Sequence, residues 1–168
     1  MNLYLVRHAE AVAVGGSILR DADRSLSLRG EEDSALMGRS LARLDPNVDI
    51  VITSPLVRAK QTGEIMGEEL SDHALFHISE HLAPGFSHTA LLEELIDLSG
   101  GGSIVAVGHQ PDISMFISYL IADKTHAAVA MEAGAIAFVR VQNIAGRVES
   151  QLRWLLTPGA VKSLQPQL

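Results

Sequence analysis

Three short apolar runs are each followed directly by polar groups and then by a helical stretch: Leu3–Val6, Val48–Thr53 and Ser103–Val107. They are too short for core helices, and Val48–Thr53 is rich in β-branched residues, so they read as buried strands. Strands that alternate with helical patterns argue for a mostly parallel sheet between helical layers. The helical stretches fill the gaps. Ser27 caps a helix to about Leu44, with Glu31 and Glu32 in its first turn, where the helix dipole favours anions. Ser54-Pro55 has the residue types of an N-cap and N1 pair and predicts a helix to about Leu70, with Arg58 one turn in. Further helices are expected over roughly 89–98 and 112–122, and a short strand over 74–78. Gly100-Gly101-Gly102 precedes a strand and lacks the Lys-Ser/Thr of a phosphate loop, so it reads as a helix stop.

The tail differs. Ile136–Val141 and Val148–Leu156, joined through a turn at Asn143–Gly146, predict a hairpin that adds an antiparallel edge, with Phe138 and Trp154 in its core. The expectation is a three-layer α/β/α sandwich, one domain over residues 1–168, with no large cap insert.

Bulk properties remove several classes of function. The net charge is −7 and no Lys/Arg run exists, so no nucleic-acid partner is expected. The apolar stretch from Ala127 to Val141 is broken by Glu132 and Arg140, so no membrane partner is expected either. Cysteine is absent, which rules out a thiolate zinc site and fits the cytoplasm. His73, His77, His81, His88 and His126 show no HExxH or carboxylate spacing and read as surface or loop histidines.

The chemistry collects at strand ends. Arg7 and His8 follow the first strand, Arg58 lies just beyond the second and His109 follows the third. In an open α/β sheet, ligands bind in the crevice beyond the carboxyl ends of the strands. Arginine offers a planar fork of donors suited to phosphate oxygens. A helix N-terminus adds positive potential. Two arginines, a helix end and a protonated histidine would hold a phosphoryl group in flight, leaving the other histidine free to attack. His8 is the choice for the attack, because it leaves the strand next to Arg7 with backbone carbonyls at hand. Glu10, Asp21 and Asp23 either orient the arginines or solvate a loop.

Leu5-Val6-Arg7-His8-Ala9-Glu10 resembles the signature of the histidine phosphatase superfamily, the phosphoglycerate-mutase-like fold. Ser54-Pro55-Leu56-Val57-Arg58-Ala59-Lys60-Gln61-Thr62 is similar to its second motif, and Val107-Gly108-His109-Gln110-Pro111 to its third. The short chain and Asp23-Arg24-Ser25-Leu26-Ser27 most resemble the small SixA-type phosphohistidine phosphatases. The resemblance implies His8 as phosphorylated nucleophile and Arg7, Arg58 and His109 as phosphate contacts. It also implies Arg24 as a further ligand, with no metal and no cofactor.

Larger relatives carry a glutamate general acid after the second helix. Here Leu82-x-Pro84 aligns with that region and Glu80 stands out of register. A poor leaving group needs a proton donor, whereas an imidazole, with a conjugate-acid pKa of about 6.5, does not. The expected substrate is therefore a phosphorylated histidine on a signalling protein, in a histidine phosphotransfer or histidine kinase domain. The alternatives are a small-molecule phosphomonoesterase, with Glu80, Glu10 or Asp23 as substitute acid, and a non-catalytic phosphate-binding module.

Overall fold

The structure, a computed structural model, describes residues 1–15, 19–70, 72–122, 128–144 and 147–164. Six strands form one sheet: β1 (Asn2–Arg7), β2 (Ile50–Thr53), β3 (Leu75–Ile78), β4 (Ser103–Gly108), β5 (Ile136–Ile144) and β6 (Arg147–Leu156). Their spatial order is β3-β2-β4-β1-β5-β6. The pairs among β1 to β4 are parallel, and β5 and β6 add antiparallel partners beyond β1. Ala145 and Gly146 of the expected hairpin turn lie outside the described residues.

Five helices cover the sheet: α1 (Leu28–Leu44), α2 (Val57–Glu68), α3 (His88–Ser99), α4 (Asp112–Ala122) and α5 (Pro158–Leu164). Alternation along the strands divides the core into two. Leu3, Leu5, Ile104 and Ala106 face Leu91, Leu95, Ile113 and Phe116 of α3 and α4. Tyr4, Val6, Val105 and Val107 face Met37 and Leu41 of α1 and Ala59 and Met66 of α2. Each buried Val, Leu, Ile, Met or Phe side chain among these is worth roughly 1.5–3 kcal/mol of transfer free energy. The architecture is the expected α/β/α sandwich with an antiparallel C-terminal edge. Between α2 and α3 the described chain holds only β3, a one-turn 3-10 segment at Glu80–Leu82 and loops. No helical insert covers the strand ends there.

Ser27 accepts from the Gly30 N–H and starts α1 as expected. Gly100 ends α3 in the left-handed conformation at φ 51°, which favours glycine. Ser54-Pro55 behaves differently: α2 starts at Val57, its N-cap is Leu56 and no side chain caps it. The Ser54 hydroxyl is engaged elsewhere, as described below. Arg58 therefore lies in the first turn of α2. The same type of signal, Thr157-Pro158, does start a helix, with Thr157 accepting from the Ala160 N–H. That helix, α5, has no counterpart among the sequence-based expectations.

His88 also departs from expectation. It is half-buried, with its ring 5.4–5.8 Å from the rings of Phe86, Phe116 and Tyr119. His126 lies outside the described residues.

α1 approaches the segment after β1 closely. A Cβ on Gly30 would stand 2.1 Å from the Glu10 carbonyl oxygen. Backbone cannot yield as a flexible side chain can, so Gly30→Ala should destabilise the fold by about 2 kcal/mol or more. In thermal denaturation that is a fall of roughly 5 °C. An unchanged melting temperature would show that the segment moves freely.

Candidate active site

The register of the central strands builds the site. In the parallel β1–β4 pair Arg7 is opposite Gly108, and the His8 N–H donates to the Gly108 carbonyl at 3.0 Å. His8 and His109 are thus each one step beyond a paired strand end, and their ring centroids lie 5.1 Å apart. Thr53 is opposite Val107, and the Ser54 N–H donates to the Val107 carbonyl. This brings Ser54 under His109 and points the start of α2 at the histidines.

The tautomer of His8 is fixed from both sides. Nδ1 is 2.7 Å from the Ala9 carbonyl, which can only accept, so Nδ1 carries the proton. The Arg58 Nε–H donates to Nε2 at 3.1 Å, so Nε2 is the bare nitrogen. Burial, opposed by the Ala9 hydrogen bond and aided by Arg58, Arg7 and Arg24, pushes the His8 pKa down to about 4. At neutral pH the ring is uncharged, with a lone pair on Nε2.

His109 is 3% exposed, and its Nε2 lies 2.8 Å from the Ser54 hydroxyl. That hydroxyl already accepts from the Leu56 N–H. Among the described residues its own proton has His109 Nε2 as acceptor, so the His109 proton belongs on Nδ1. Nδ1 is buried without a protein partner. Burial, then the neighbouring His8 and Arg58, push the His109 pKa down to about 3. The protonated histidine expected from sequence is neutral in the ligand-free protein. It offers an oxyanion an N–H, not a full charge.

The three arginines are held differently. Arg7 donates through Nη1 to the Met131 carbonyl, and its Nε is buried with no partner. Arg58, with its side chain 6% exposed, uses Nε on His8, Nη1 on the Asp21 carbonyl and Nη2 on the Asp21 carboxylate. Arg24 is tied through Nε to the Val12 carbonyl and presents Nη1 to the other Asp21 oxygen at 2.9 Å. Arg24 is thus linked to the cluster through Asp21.

The candidate carboxylates fall outside the cluster. Glu10 accepts from the Ser27 hydroxyl at 2.8 Å at the start of α1. Asp23 takes two hydrogen bonds from Arg20, so the arginine it orients is not one of the three. Glu80 is exposed, and its carboxylate forms no hydrogen bond or ion pair among the described residues. Of the acidic residues named from sequence, Asp21 is the one at the site. Three supporting residues had no role assigned. Ser54 fixes His109. Thr62 accepts from the Ala9 N–H and donates to the Arg58 carbonyl. Gln61 accepts from the Leu26 N–H. All three belong to the Ser54–Thr62 stretch, where polar side chains at the start of a helix signal that they face a loop.

A bare imidazole nitrogen, a second imidazole and two buried unpaired N–H donors suit a phosphoryl group with charge on its oxygens. The comparisons agree. A family model for the histidine phosphatase superfamily (branch 1) matches residues 3–83. An uncharacterized protein of Picosynechococcus is 31% identical over 163 residues, covering 94% of this chain and 97% of its own. The chain belongs to the histidine phosphatase superfamily. It is a phosphatase, a hydrolase of phosphoryl groups. The phosphohistidine phosphatase SixA of Escherichia coli is 28% identical over 127 residues, 73% of each chain. The solved structure of the protein histidine phosphatase SixA complexed with tungstate shares the fold. Its TM-score is 0.82 at 24% identity, over 95% of this chain and 98% of that one.

Two histidines held neutral by burial bind protons on unfolding. Their folded pKa values lie below the unfolded value of about 6.5, so stability is fully present above that pH. It falls as pH drops from about 6.5 toward 4, by on the order of 1 kcal/mol per pH unit for each ring. His109→Asn should flatten this acid limb in urea titrations run between those pH values. An acid limb identical to wild type would place His109 in a solvated setting.

Proposed function

We propose that the protein is a phosphohistidine phosphatase that works through a phospho-His8 intermediate. The observation that carries this reading is the bare Nε2 of His8, held by Arg58 beside His109. Arg58 moves its Nε–H from His8 onto an incoming phosphoryl oxygen, which frees the lone pair. Arg7 Nε and His109 Nδ1–H take further oxygens. His8 Nε2 then bonds phosphorus as the bond from phosphorus to the substrate nitrogen breaks. The electron pair stays on the departing imidazole, whose other ring nitrogen already carries a proton, so the ring leaves neutral and needs no donor. His8 keeps its Nδ1 proton on the Ala9 carbonyl throughout. A water molecule next attacks phospho-His8 and releases orthophosphate and free Nε2.

The leaving group is argued from the carboxylates. Asp21 sits between two arginines. The hydrogen bond from Arg24 and the neighbouring Arg58 outweigh desolvation and hold its carboxyl below the usual range. It is therefore a poor proton donor, and Glu80, Glu10 and Asp23 have no contact with the cluster. An imidazole leaves without such a donor, and a serine or sugar alkoxide does not. Among the described residues no helical insert covers the strand ends between α2 and α3. That suits a phosphorylated histidine presented on a folded protein, such as a histidine phosphotransfer or histidine kinase domain. The similarity to SixA, named a phosphohistidine phosphatase, supports the same choice.

His8→Ala should lower turnover of a phosphohistidine protein by about three orders of magnitude or more. Labelled phosphate should be trapped on the wild-type chain and not on the variant. A fully active His8→Ala sinks the mechanism. Equal rates on phosphohistidine, phosphoserine and sugar phosphates would instead favour a small-molecule phosphomonoesterase. Binding without turnover on any of them would favour a phosphate-binding module.

A further inference from the structure

The two oxygens of Asp21 are shared between the arginines, Oδ1 on Arg24 Nη1 at 2.9 Å and Oδ2 on Arg58 Nη2 at 2.9 Å. On Arg58, Nε and Nη2 form one side of the guanidinium fork, the side a phosphoryl group takes in bidentate fashion. In the resting protein this fork holds His8 Nε2 and Asp21 Oδ2. The remaining donor, Nη1, lies on the Asp21 backbone carbonyl. Arg24 is otherwise committed to the carbonyls of Val12 and Ala11. The Asp21 carboxylate thus stands where two phosphoryl oxygens would be held.

It is also placed to leave. Asp21 begins a 3-10 turn of three residues, Asp21–Asp23, with no side-chain cap. Its own side chain is 58% exposed, whereas that of Arg58 beneath it is 6% exposed. Moving it breaks two ion pairs of a largely exposed carboxylate and disturbs no core.

We propose that Asp21 is a displaceable carboxylate that occupies the phosphoryl donors of Arg24 and Arg58 in the resting enzyme and, by returning, expels orthophosphate after hydrolysis. It sets a specificity threshold. Free phosphate must displace the carboxylate with its own hydrogen bonds and nothing else. A phosphoryl group on a protein brings the remaining contacts of its carrier. The inference rests on the reading that Arg58 and His8 handle the phosphoryl group.

The test is calorimetric titration of the full chain with inorganic phosphate. Asp21→Asn and Asp21→Ala should each bind orthophosphate at least about fivefold tighter than wild type, since two ion pairs of a partly exposed carboxylate are removed. Glu149→Gln removes the same unit charge from the exposed face of β6 and should leave the affinity unchanged. Arg58→Ala should abolish binding. Weaker or equal phosphate binding in both Asp21 variants, with Arg58→Ala still abolishing it, overturns the proposal alone and makes Asp21 a holder of the arginines. Undiminished binding by Arg58→Ala overturns the proposal together with the assignment of the site. A fivefold gain shared by Glu149→Gln reduces the effect to net charge and also overturns it.

Discussion

The parallel pairing of β1 with β4 is the constraint on which the site depends. It fixes Arg7 against Gly108, and this single register sets His8 beside His109. A slip of one residue would send Leu3, Leu5 and their partners to the wrong helical layer. The hydrophobic pattern of the two strands, buried on both faces, therefore enforces the geometry of the histidines. Core packing and catalytic alignment are the same interaction at two ends of one strand pair.

Electrostatics follows from that placement. The chain carries a net charge of −7, yet Arg7, Arg24 and Arg58 meet at one edge of the sheet. Desolvation keeps both imidazoles neutral, since charging them would add to the nearby guanidinium charge. Carbonyl groups accept from all three arginines, and Asp21 adds one negative charge beside Arg24 and Arg58. The donors of Arg58 and Arg24 are thus engaged at rest while Arg7 Nε and His109 Nδ1 stay unpaired, and binding an anion at Arg58 and Arg24 is an exchange of partners.

The three-layer fold was legible because β1, β2 and β4 are short, apolar on both faces and separated by helical patterns. The gathering of His8, Arg58 and His109 was legible because each follows a strand end. Other features were not, for physical reasons. Ser54-Pro55 and Thr157-Pro158 look alike in sequence, yet the first hydroxyl is drawn to His109 while the second caps a helix. Only tertiary contacts decide between them. Asp21, Asp23 and Glu10 were equivalent in sequence because a loop has no periodicity to give its side chains direction. Arg20, Ser27 and Arg58 each claim one of them in space. The charge of His109 was also beyond sequence, since it depends on burial and on the like-signed groups around it.

The central position of β1 has a consequence for synthesis. Its neighbours come from far along the chain, Asn2 pairing with Ser103 on one side and Arg140 on the other. Contacts of such sequence separation form late, because loop closure is entropically costly. During translation the strand that ends at Arg7 emerges before both of its partners. His8 is made before either partner strand of β1, and its place beside His109 is set only once β4 has emerged and paired.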